Sequence, residues 1–178
     1  KMPVHVPNMA MINAVSKLTW RAFERHYSLT TYEKLIAKLD STIPVYPDWV
    51  KGIACALGSA GLAFLYSGDI IAFMVTIICS LIGYFGRTLS VRFGCNEYVG
   101  ITIGGFAAMV SAYGFYSHIE QDSLVYVLVC CTLFMIPGVP LINSVIDTIN
   151  NHILSGITRA IRTILIVGSM TLGMAMAL

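Results

Sequence analysis

Long apolar runs separated by short polar stretches fill the chain from Trp49 to its end. At about 1.5 Å per residue, such runs suit helices that cross a ~30 Å hydrocarbon core. The pattern predicts an all-α integral membrane bundle of five transmembrane helices. Their predicted ranges are 49–67, 70–86, 98–116, 123 onward through an interruption, and 164–178.

Polar segments of unequal length connect these runs. Ser67, Gly68 and Asp69 predict a tight turn, and residues 118–122 predict another short, acidic turn. Residues 87–97 and 147–162 predict longer polar connections.

The first part of the chain has a pattern typical of amphipathic helices, with apolar residues three and four positions apart. It predicts one helix over residues 8–26 and a second from Thr30 to about Asp40. Thr30 is expected to be the N-cap of the second helix, with Glu33 as its capping-box partner. Pro44 is expected to end that helix.

We therefore divide the chain into a short cytosolic helical region, residues 1–48, and a five-helix transmembrane domain, residues 49–178. The sequence opens at Lys1 rather than at a methionine, so the first region is interpreted as the end of a larger N-terminal domain. Its basic, aromatic composition would also suit a segment lying on an anionic membrane surface. The mixture of both charge signs in its first helix favours the cytosolic interpretation.

Composition supports a membrane protein. Hydrophobic residues make up 57% of the chain and charged residues 11%, with a mean hydropathy of +0.77. An ordinary soluble domain is about 25% charged. The net charge of +2 is too small to indicate a nucleic-acid partner. The five cysteines lie mostly in apolar runs and show no spacing typical of a metal site.

The positions of the positive charges predict an orientation. All 11 Lys and Arg residues fall in the first 51 positions, the 87–97 connection or the 147–162 segment. The turns at 67–69 and 117–122 contain only acidic charges. Because Lys and Arg favour the cytoplasmic side, we expect a cytoplasmic N-terminus and a C-terminus outside.

Pro137, Gly138 and Pro140 interrupt the fourth apolar run. Each proline removes a backbone donor and disfavours helix in the preceding residue. The run before them is about 14 residues, roughly 21 Å, so the break is expected inside the membrane, toward its cytoplasmic side. Lipid cannot satisfy the freed backbone groups, and transporters bind substrates at such broken helices. A simple proline kink is the alternative.

Polar side chains follow the break. Asn143, Asp147 and Asn150 would share one face if the helix resumes. An ionisable residue in the membrane is a functional candidate, and a carboxylate beside amides suits an ammonium group or a coupled proton. A solvated helix end is the alternative. Arg159 and Arg162 are expected at the inner interface, where either could meet a carboxylate.

Small residues crowd two of the apolar runs. Gly100 and Gly104 form a GxxxG pattern, and Ala54, Gly58 and Gly61 are similarly spaced. Such residues let another helix approach closely. We expect this packing to be intramolecular, with a homo-oligomer as the alternative.

The sequence lacks motifs of catalysis. It contains no HExxH, no GxSxG, no P-loop and no carboxylate pair that spacing singles out. We therefore predict no enzymatic activity, no catalytic residue, no metal and no cofactor.

The region around the break resembles a known family. Residues 135–147, MIPGVPLINSVID, and residues 152–159, HILSGITR, are similar to the hallmark of the threonine/serine exporter family. That hallmark is a PG-x-P-L-x-N-(A/S) run, an Asp a few residues on, and then a small residue with Gly and an Arg. The lead-in at residues 46–49, YPDW, also resembles this family.

The resemblance implies a function. In this family a larger half, with a cytosolic region and five spans, works with a smaller membrane half that is fused or separate. The family exports threonine and serine, and in some bacterial pairs succinate, using the proton motive force. This chain is expected to be the larger subunit, in the bacterial inner membrane, with the smaller membrane subunit as its partner.

We expect the substrate to bind at the break and the helix after it, through Pro137, Gly138, Pro140, Asn143 and Asp147. Asp147 is also expected to carry the coupled proton. Alternating access would occur around the break. Two rival functions stay open: a structural subunit whose partner holds the site, and a membrane enzyme acting on a lipid-like substrate.

Overall fold

The computed structural model describes residues 9–42, 46–115 and 121–177, and within these ranges the chain forms helices and turns but no strand. The predicted all-α class is confirmed. The helices are α1 (Met9–Arg25), α2 (Leu29–Thr42), α3 (Asp48–Ser67), α4 (Ile70–Arg92), α5 (Glu97–Gly114), α6 (Gln121–Cys130), α7 (Gly138–Ile149) and α8 (Ile153–Ala175), with a short 3₁₀ helix at Leu133–Met135. The chain divides into two compact units, Lys1–Pro47 and Asp48–Leu178.

The first unit contains a hairpin of α1 and α2. A hydrogen bond of 3.1 Å joins the hydroxyls of Thr19 and Tyr32 across the two helices. The predicted capping box of Thr30 and Glu33 is wrong, because α2 begins at Leu29. The hydroxyl of Ser28 accepts a hydrogen bond of 3.4 Å from a backbone N–H in the first turn of α2, so Ser28 occupies the capping position.

A tight turn joins α3 to α4, as predicted. Gly68 has a φ of +68°, a left-handed conformation that favours glycine. The carboxylate of Asp69 accepts hydrogen bonds from the N–H groups of Ile71 and Ala72, at 2.8 and 3.3 Å. Asp69 is therefore the N-cap that fixes the start of α4.

The α4 helix continues to Arg92, beyond the predicted end of its apolar run. The hydroxyls of Thr88 and Ser90 donate to carbonyls one turn back, at 2.9 and 2.7 Å, so the helix accommodates these polar side chains. The chain turns at Gly94, where φ is +90°. The prediction of a connection over 87–97 is therefore wrong as far as Arg92.

Glycines bring α4 and α5 into close contact. A Cβ atom at Gly104 would lie 2.8 Å from the carbonyl oxygen of Gly83, and a Cβ at Gly83 would lie 2.8 Å from the Cβ of Ala108. A Cβ at Gly100 would lie 3.3 Å from the carbonyl oxygen of Arg87. The GxxxG pattern of α5 therefore serves packing within this chain, as predicted.

The small residues of α3 behave differently. Nothing in the described part of the structure lies within 4 Å of a Cβ built at Gly58 or Gly61. The expectation that both receive another helix of this chain is wrong. The reason is that α3 packs through a different face, whose buried residues are Gly52, Ala56, Ser59, Ala60 and Ala63.

The helices α5 and α8 run parallel. Arg162 donates to Glu97 at 3.0 Å, and the hydroxyl of Thr102 donates to the Ser169 carbonyl at 3.0 Å, so the paired positions are 65 and 67 residues apart. Because α8 begins at Ile153, its first turns project about 13 Å past the start of α5. We call this part, residues 153–161, the α8 extension.

The fifth apolar run also begins earlier than predicted. The helix α8 starts at Ile153 rather than near residue 164, and hydroxyls in its first half are satisfied by its own backbone. Thr158 and Thr163 donate to carbonyls one turn back, at 2.8 and 2.9 Å. The polar connection predicted at 147–162 is therefore the end of α7, a short turn and the first half of α8.

Length and composition support three or four of the five predicted crossings. Among the described residues, α3, α4 and α8 are each long and apolar enough to cross a membrane. Ser123–Met135 and Gly138–Ile149 meet the same test as a pair bent by 61°. The helix α5, with 18 residues, is not among the three. The turn predicted at 118–122 lies largely outside the described residues.

Candidate functional site

The break in the fourth apolar run begins before the prolines. The helix α6 ends at Cys130, the 3₁₀ helix covers Leu133–Met135, and α7 starts at Gly138. The prediction of helix up to the first proline is therefore wrong. The hydroxyl of Thr132 donates to the Val129 carbonyl at 3.0 Å. The N–H of Thr132 donates to the same carbonyl at 3.4 Å, a 3₁₀-type bond of the kind found where α-helices end.

The two prolines of the break have different effects. Pro137 follows Ile136, whose ψ of 122° is extended, as expected for a residue before proline. Pro140 lies in the first turn of α7, where a backbone N–H has no helical partner. The N–H of Leu141 donates to the Pro137 carbonyl at 3.1 Å, so α7 starts with regular geometry.

Protein surrounds the irregular backbone of the break. Cys131, Thr132 and Met135 are buried. Ser80 of α4 donates to the Cys131 carbonyl at 3.4 Å, and the N–H of Met135 donates to the Thr132 carbonyl at 3.0 Å. Backbone that leaves the helix at membrane depth requires such internal partners.

Two clefts lie beside the break. One, of about 270 Å³, lies between α3 and the 3₁₀ helix and includes Leu133 and Phe134 in its wall. The other, of about 410 Å³, lies between α5, α6 and α8 and includes Thr132 and Ile136. Both clefts are lined mainly by apolar side chains.

Beyond the break, α7 packs closely on α8. A Cβ at Gly156 would lie 2.9 Å from the Ser144 carbonyl oxygen and would overlap the Thr148 hydroxyl. Ser144 is buried in this contact, whereas Leu141 and Val145 are exposed on the other faces of α7. Among the described helices, α8 is the main packing partner of α7.

Asp147, near the end of α7, is held by two side chains of α8. Arg159 approaches the Asp147 carboxylate at 3.1 Å, and the hydroxyl of Ser155 donates to the same oxygen at 3.0 Å. The side chain of Asp147 is 20% exposed and that of Arg159 47%. The backbone carbonyl of Asp147 accepts from the N–H of His152 at 2.8 Å, which closes the turn between the helices.

Glu97, at the start of α5, binds two arginines. Arg162 of α8 lies 3.0 Å from the carboxylate and Arg87 of α4 lies 3.6 Å from it. The side chain of Glu97 is 22% exposed. One carboxylate therefore links three helices, and the two guanidiniums leave this cluster with an excess positive charge.

A third ionic cluster joins α3 to α4. Asp48, the first residue of α3, lies 2.6 Å from Arg92 and 3.3 Å from Lys51. All three side chains are at least one-third exposed. This cluster fixes the ends of two helices at the surface.

Residues 3–178 of the chain match the protein family described as "Putative threonine/serine exporter". The chain belongs to the threonine/serine exporter family. The family is one of transport proteins, the apolar helices are consistent with a membrane protein, and the resemblance seen in the sequence is confirmed.

A relative from Klebsiella aerogenes carries the name "Probable succinate transporter subunit YjjP". It is 23% identical over 180 residues, which cover 96% of this chain and 66% of the relative. The chain thus spans just under two thirds of the relative's length. The names of the exporter family and of this relative point to a transporter subunit rather than an enzyme. No solved structure matches the chain.

The family hallmark maps onto the break and α7. Pro137, Gly138 and Pro140 form the break and the start of α7, while Asn143 and Asp147 lie one turn apart on one face of that helix. Asn143 is half-buried. Asn150 ends α7 as its C-cap and is exposed. Neither of the two clefts beside the break is lined by Asn143 or Asp147.

The structure shows side-chain contacts that the sequence pattern did not assign. Ser155 and Arg159 hold Asp147, and Glu97 meets Arg87 and Arg162. Arg159 and Arg162 both meet carboxylates, which was expected as possible for either residue. The signal for Glu97 was an ionisable residue at the start of an apolar run, but nothing in the spacing indicated which helix it contacts.

Proposed function

We propose that this chain is a subunit of a secondary-active exporter of small polar metabolites, threonine and serine first, driven by the proton motive force. The observation that carries the proposal is the span bent by 61° at buried, irregular backbone, followed by a helix with a paired carboxylate, Asp147. Membership of the exporter family supports export. The relative's name favours a second candidate substrate, a dicarboxylate such as succinate.

The proposed arrangement has five crossings in a bacterial inner membrane. The helix α5 is the additional crossing, since its 18 residues span about 27 Å, close to the ~30 Å core. The N-terminus is cytoplasmic and the C-terminus outside, because every Lys and Arg then lies toward the cytoplasm. Residues 1–48 form the cytosolic helical region and residues 49–178 the transmembrane domain.

Transport is proposed to occur by alternating access around the break. The break at Pro137, Gly138 and Pro140 supplies backbone groups outside regular helix, and Asn143 supplies a half-buried amide on α7. Asp147 binds the substrate ammonium group or carries the coupled proton. Because Asp147 is paired with Arg159 in this conformation, either role requires that pair to open during the transport cycle.

The proposed partner is the smaller membrane subunit of the same exporter family. The relative's name, which describes a subunit, supports an assembly of more than one chain. A structural role for this chain is the alternative, and it is favoured by one observation: Asn143 and Asp147 do not line the clefts beside the break.

The test is export from proteoliposomes that contain the full-length chain and the smaller subunit. Asp147→Asn is expected to lower threonine export at least tenfold and to weaken its dependence on the pH gradient. Asp48→Asn is the matched control, since Asp48 is also paired but lies at an exposed helix end. Unchanged export by Asp147→Asn would remove Asp147 from the mechanism. Export of succinate but not threonine by the wild type would establish the dicarboxylate candidate instead.

A further inference from the structure

The two arginines of α8 meet carboxylates that differ in their number of charged partners. Glu97 has guanidiniums on both sides, from Arg162 at 3.0 Å and Arg87 at 3.6 Å. Among the described residues, Asp147 meets one guanidinium, that of Arg159, and the neutral hydroxyl of Ser155. Breaking one contact leaves Glu97 with a second cation, whereas Asp147 loses its whole charge partner. When the Asp147–Arg159 pair opens, both of its charges therefore need new partners of opposite charge.

The packing of the helices points the same way. Glu97 lies on α5, which packs against both α4 and α8. Asp147 lies on α7, whose main packing partner is α8. The side chain of Arg159 is 47% exposed, so a solute can reach it. The Asp147–Arg159 pair can consequently open without disturbing the contacts among α3, α4 and α5.

We propose that the Asp147–Arg159 pair is a receptor for a zwitterion. The guanidinium of Arg159 binds the α-carboxylate of the transported amino acid, and the carboxylate of Asp147 binds its α-ammonium group. Arg159 is suited to this role because its planar donors can bind a carboxylate through two hydrogen bonds. The inference rests on the proposed function and deepens it, since it assigns a carboxylate-binding residue to the site.

Charge pairing explains why a zwitterion fits. When an amino acid enters the opened pair, Arg159 gains a carboxylate and Asp147 gains an ammonium group, so every charge keeps a partner. A dicarboxylate would satisfy Arg159 but would leave Asp147 unpaired beside a second negative group. An amine without a carboxylate would leave Arg159 unpaired. Uncompensated charges in a partly buried site are costly, so the pair selects against both classes.

The test compares ligands that lack one charge at a time, using the full-length protein assembled with its smaller subunit. Threoninamide lacks the carboxylate and 3-hydroxybutyrate lacks the ammonium group. The wild type is expected to bind threonine about 10- to 100-fold more tightly than either analogue, the range for a hydrogen bond to a charged group. Affinities are measured by competition against labelled threonine and by ligand-induced shifts in Tm.

The variants separate the two contacts. Arg159→Gln is expected to abolish the preference for threonine over threoninamide and to keep the preference over 3-hydroxybutyrate. Asp147→Asn is expected to do the reverse. Arg162→Gln is the matched control, because it removes the other arginine of α8 and should leave both ratios unchanged. Arg159→Lys keeps the charge but not the planar donors, so an intermediate ratio is expected.

Three results would overturn the inference. Equal loss of affinity for all ligands in Arg159→Gln would mean that Arg159 only supports the fold. Unchanged ratios in both variants, with threonine still bound, would reject the receptor and leave the proposed exporter function intact. Binding of succinate but not threonine by the wild type would reject the receptor together with the amino-acid substrate. The Tm without ligand shows whether each variant folds. If Arg159→Gln does not fold, Arg159→Lys replaces it in the comparison.

Discussion

Arg162 and Glu97 are 65 positions apart in the chain and 3.0 Å apart in the fold, where their contact sets the register between α5 and α8. Arg87 of α4 reaches the same carboxylate at 3.6 Å. The side chain of Glu97 is 22% exposed, and that of Arg162 is 50% exposed. A single acidic residue at the start of one helix therefore aligns two others.

Removal of the Glu97 charge is expected to destabilise the protein. In Glu97→Gln both arginines lose their charged partner, and a double-mutant cycle with Arg162→Gln should give a coupling energy of about 0.5–2 kcal/mol. The Asp48–Lys51 pair is the control, because its two side chains are more exposed and such pairs contribute about 0–1 kcal/mol. Denaturant unfolding of the four proteins in each cycle measures both values. A Glu97–Arg162 coupling no larger than the control would contradict the linking role of Glu97.

A methyl group at Gly104 is expected to disrupt the contact between α4 and α5. The Cβ of Gly104→Ala would lie 2.8 Å from the Gly83 carbonyl oxygen, backbone that cannot move aside easily. Overpacking of this kind costs about 1–3 kcal/mol. Gly58→Ala is the matched control, since nothing in the described structure lies within 4 Å of its Cβ. Thermal unfolding should show a lower Tm for the first variant alone, and equal Tm values would argue against this packing.

The start of α4 is expected to depend on Asp69. Asp69→Ala removes a side chain that accepts two backbone hydrogen bonds, and loss of such a cap costs about 0.5–2 kcal/mol. Asn96→Ala at the start of α5 is the control, because Asn96 makes no side-chain capping bond. Unfolding in denaturant is the measurement. If the Asn96 variant were the less stable of the two, the cap at Asp69 would not be what holds the turn.

The two prolines of the break are expected to respond differently to replacement. Pro140→Ala restores an N–H in the first turn of α7, where no helical acceptor is lost, so stability should change by less than about 1 kcal/mol. Pro137→Ala lifts the restriction on Ile136 and should change the protein more, by letting helix extend toward the 3₁₀ segment. Unfolding and circular dichroism of both variants provide the comparison. A larger effect of Pro140→Ala would place the essential turn of the break later in the chain.

Hydropathy was sufficient to locate most helices but not their ends. The apolar run that begins at Ile70 predicts α4 correctly, yet the helix continues through Thr88 and Ser90, whose hydroxyls are satisfied by the preceding turn. A change in polarity is therefore a poor indicator of where a helix stops. The break shows the same limit. The prolines predict that a break exists, but it starts earlier, near Thr132, whose hydroxyl bonds to a backbone carbonyl.

The candidate site was predicted in part. Periodicity places Asn143 and Asp147 on one face of α7, because both lie on one helix and local geometry relates them. The contacts of Glu97 depend on how α4, α5 and α8 assemble, and no spacing along the chain encodes a contact across 65 positions. Whether Asp147 takes part in transport stays a prediction.

The α8 extension has a consequence for the surrounding lipid. Its exposed side chains include Ile153, Leu154 and Ile157, which carry apolar surface about 13 Å past the level of Glu97. A bilayer that covered this surface would have to thicken next to α8, a hydrophobic mismatch built into a single chain.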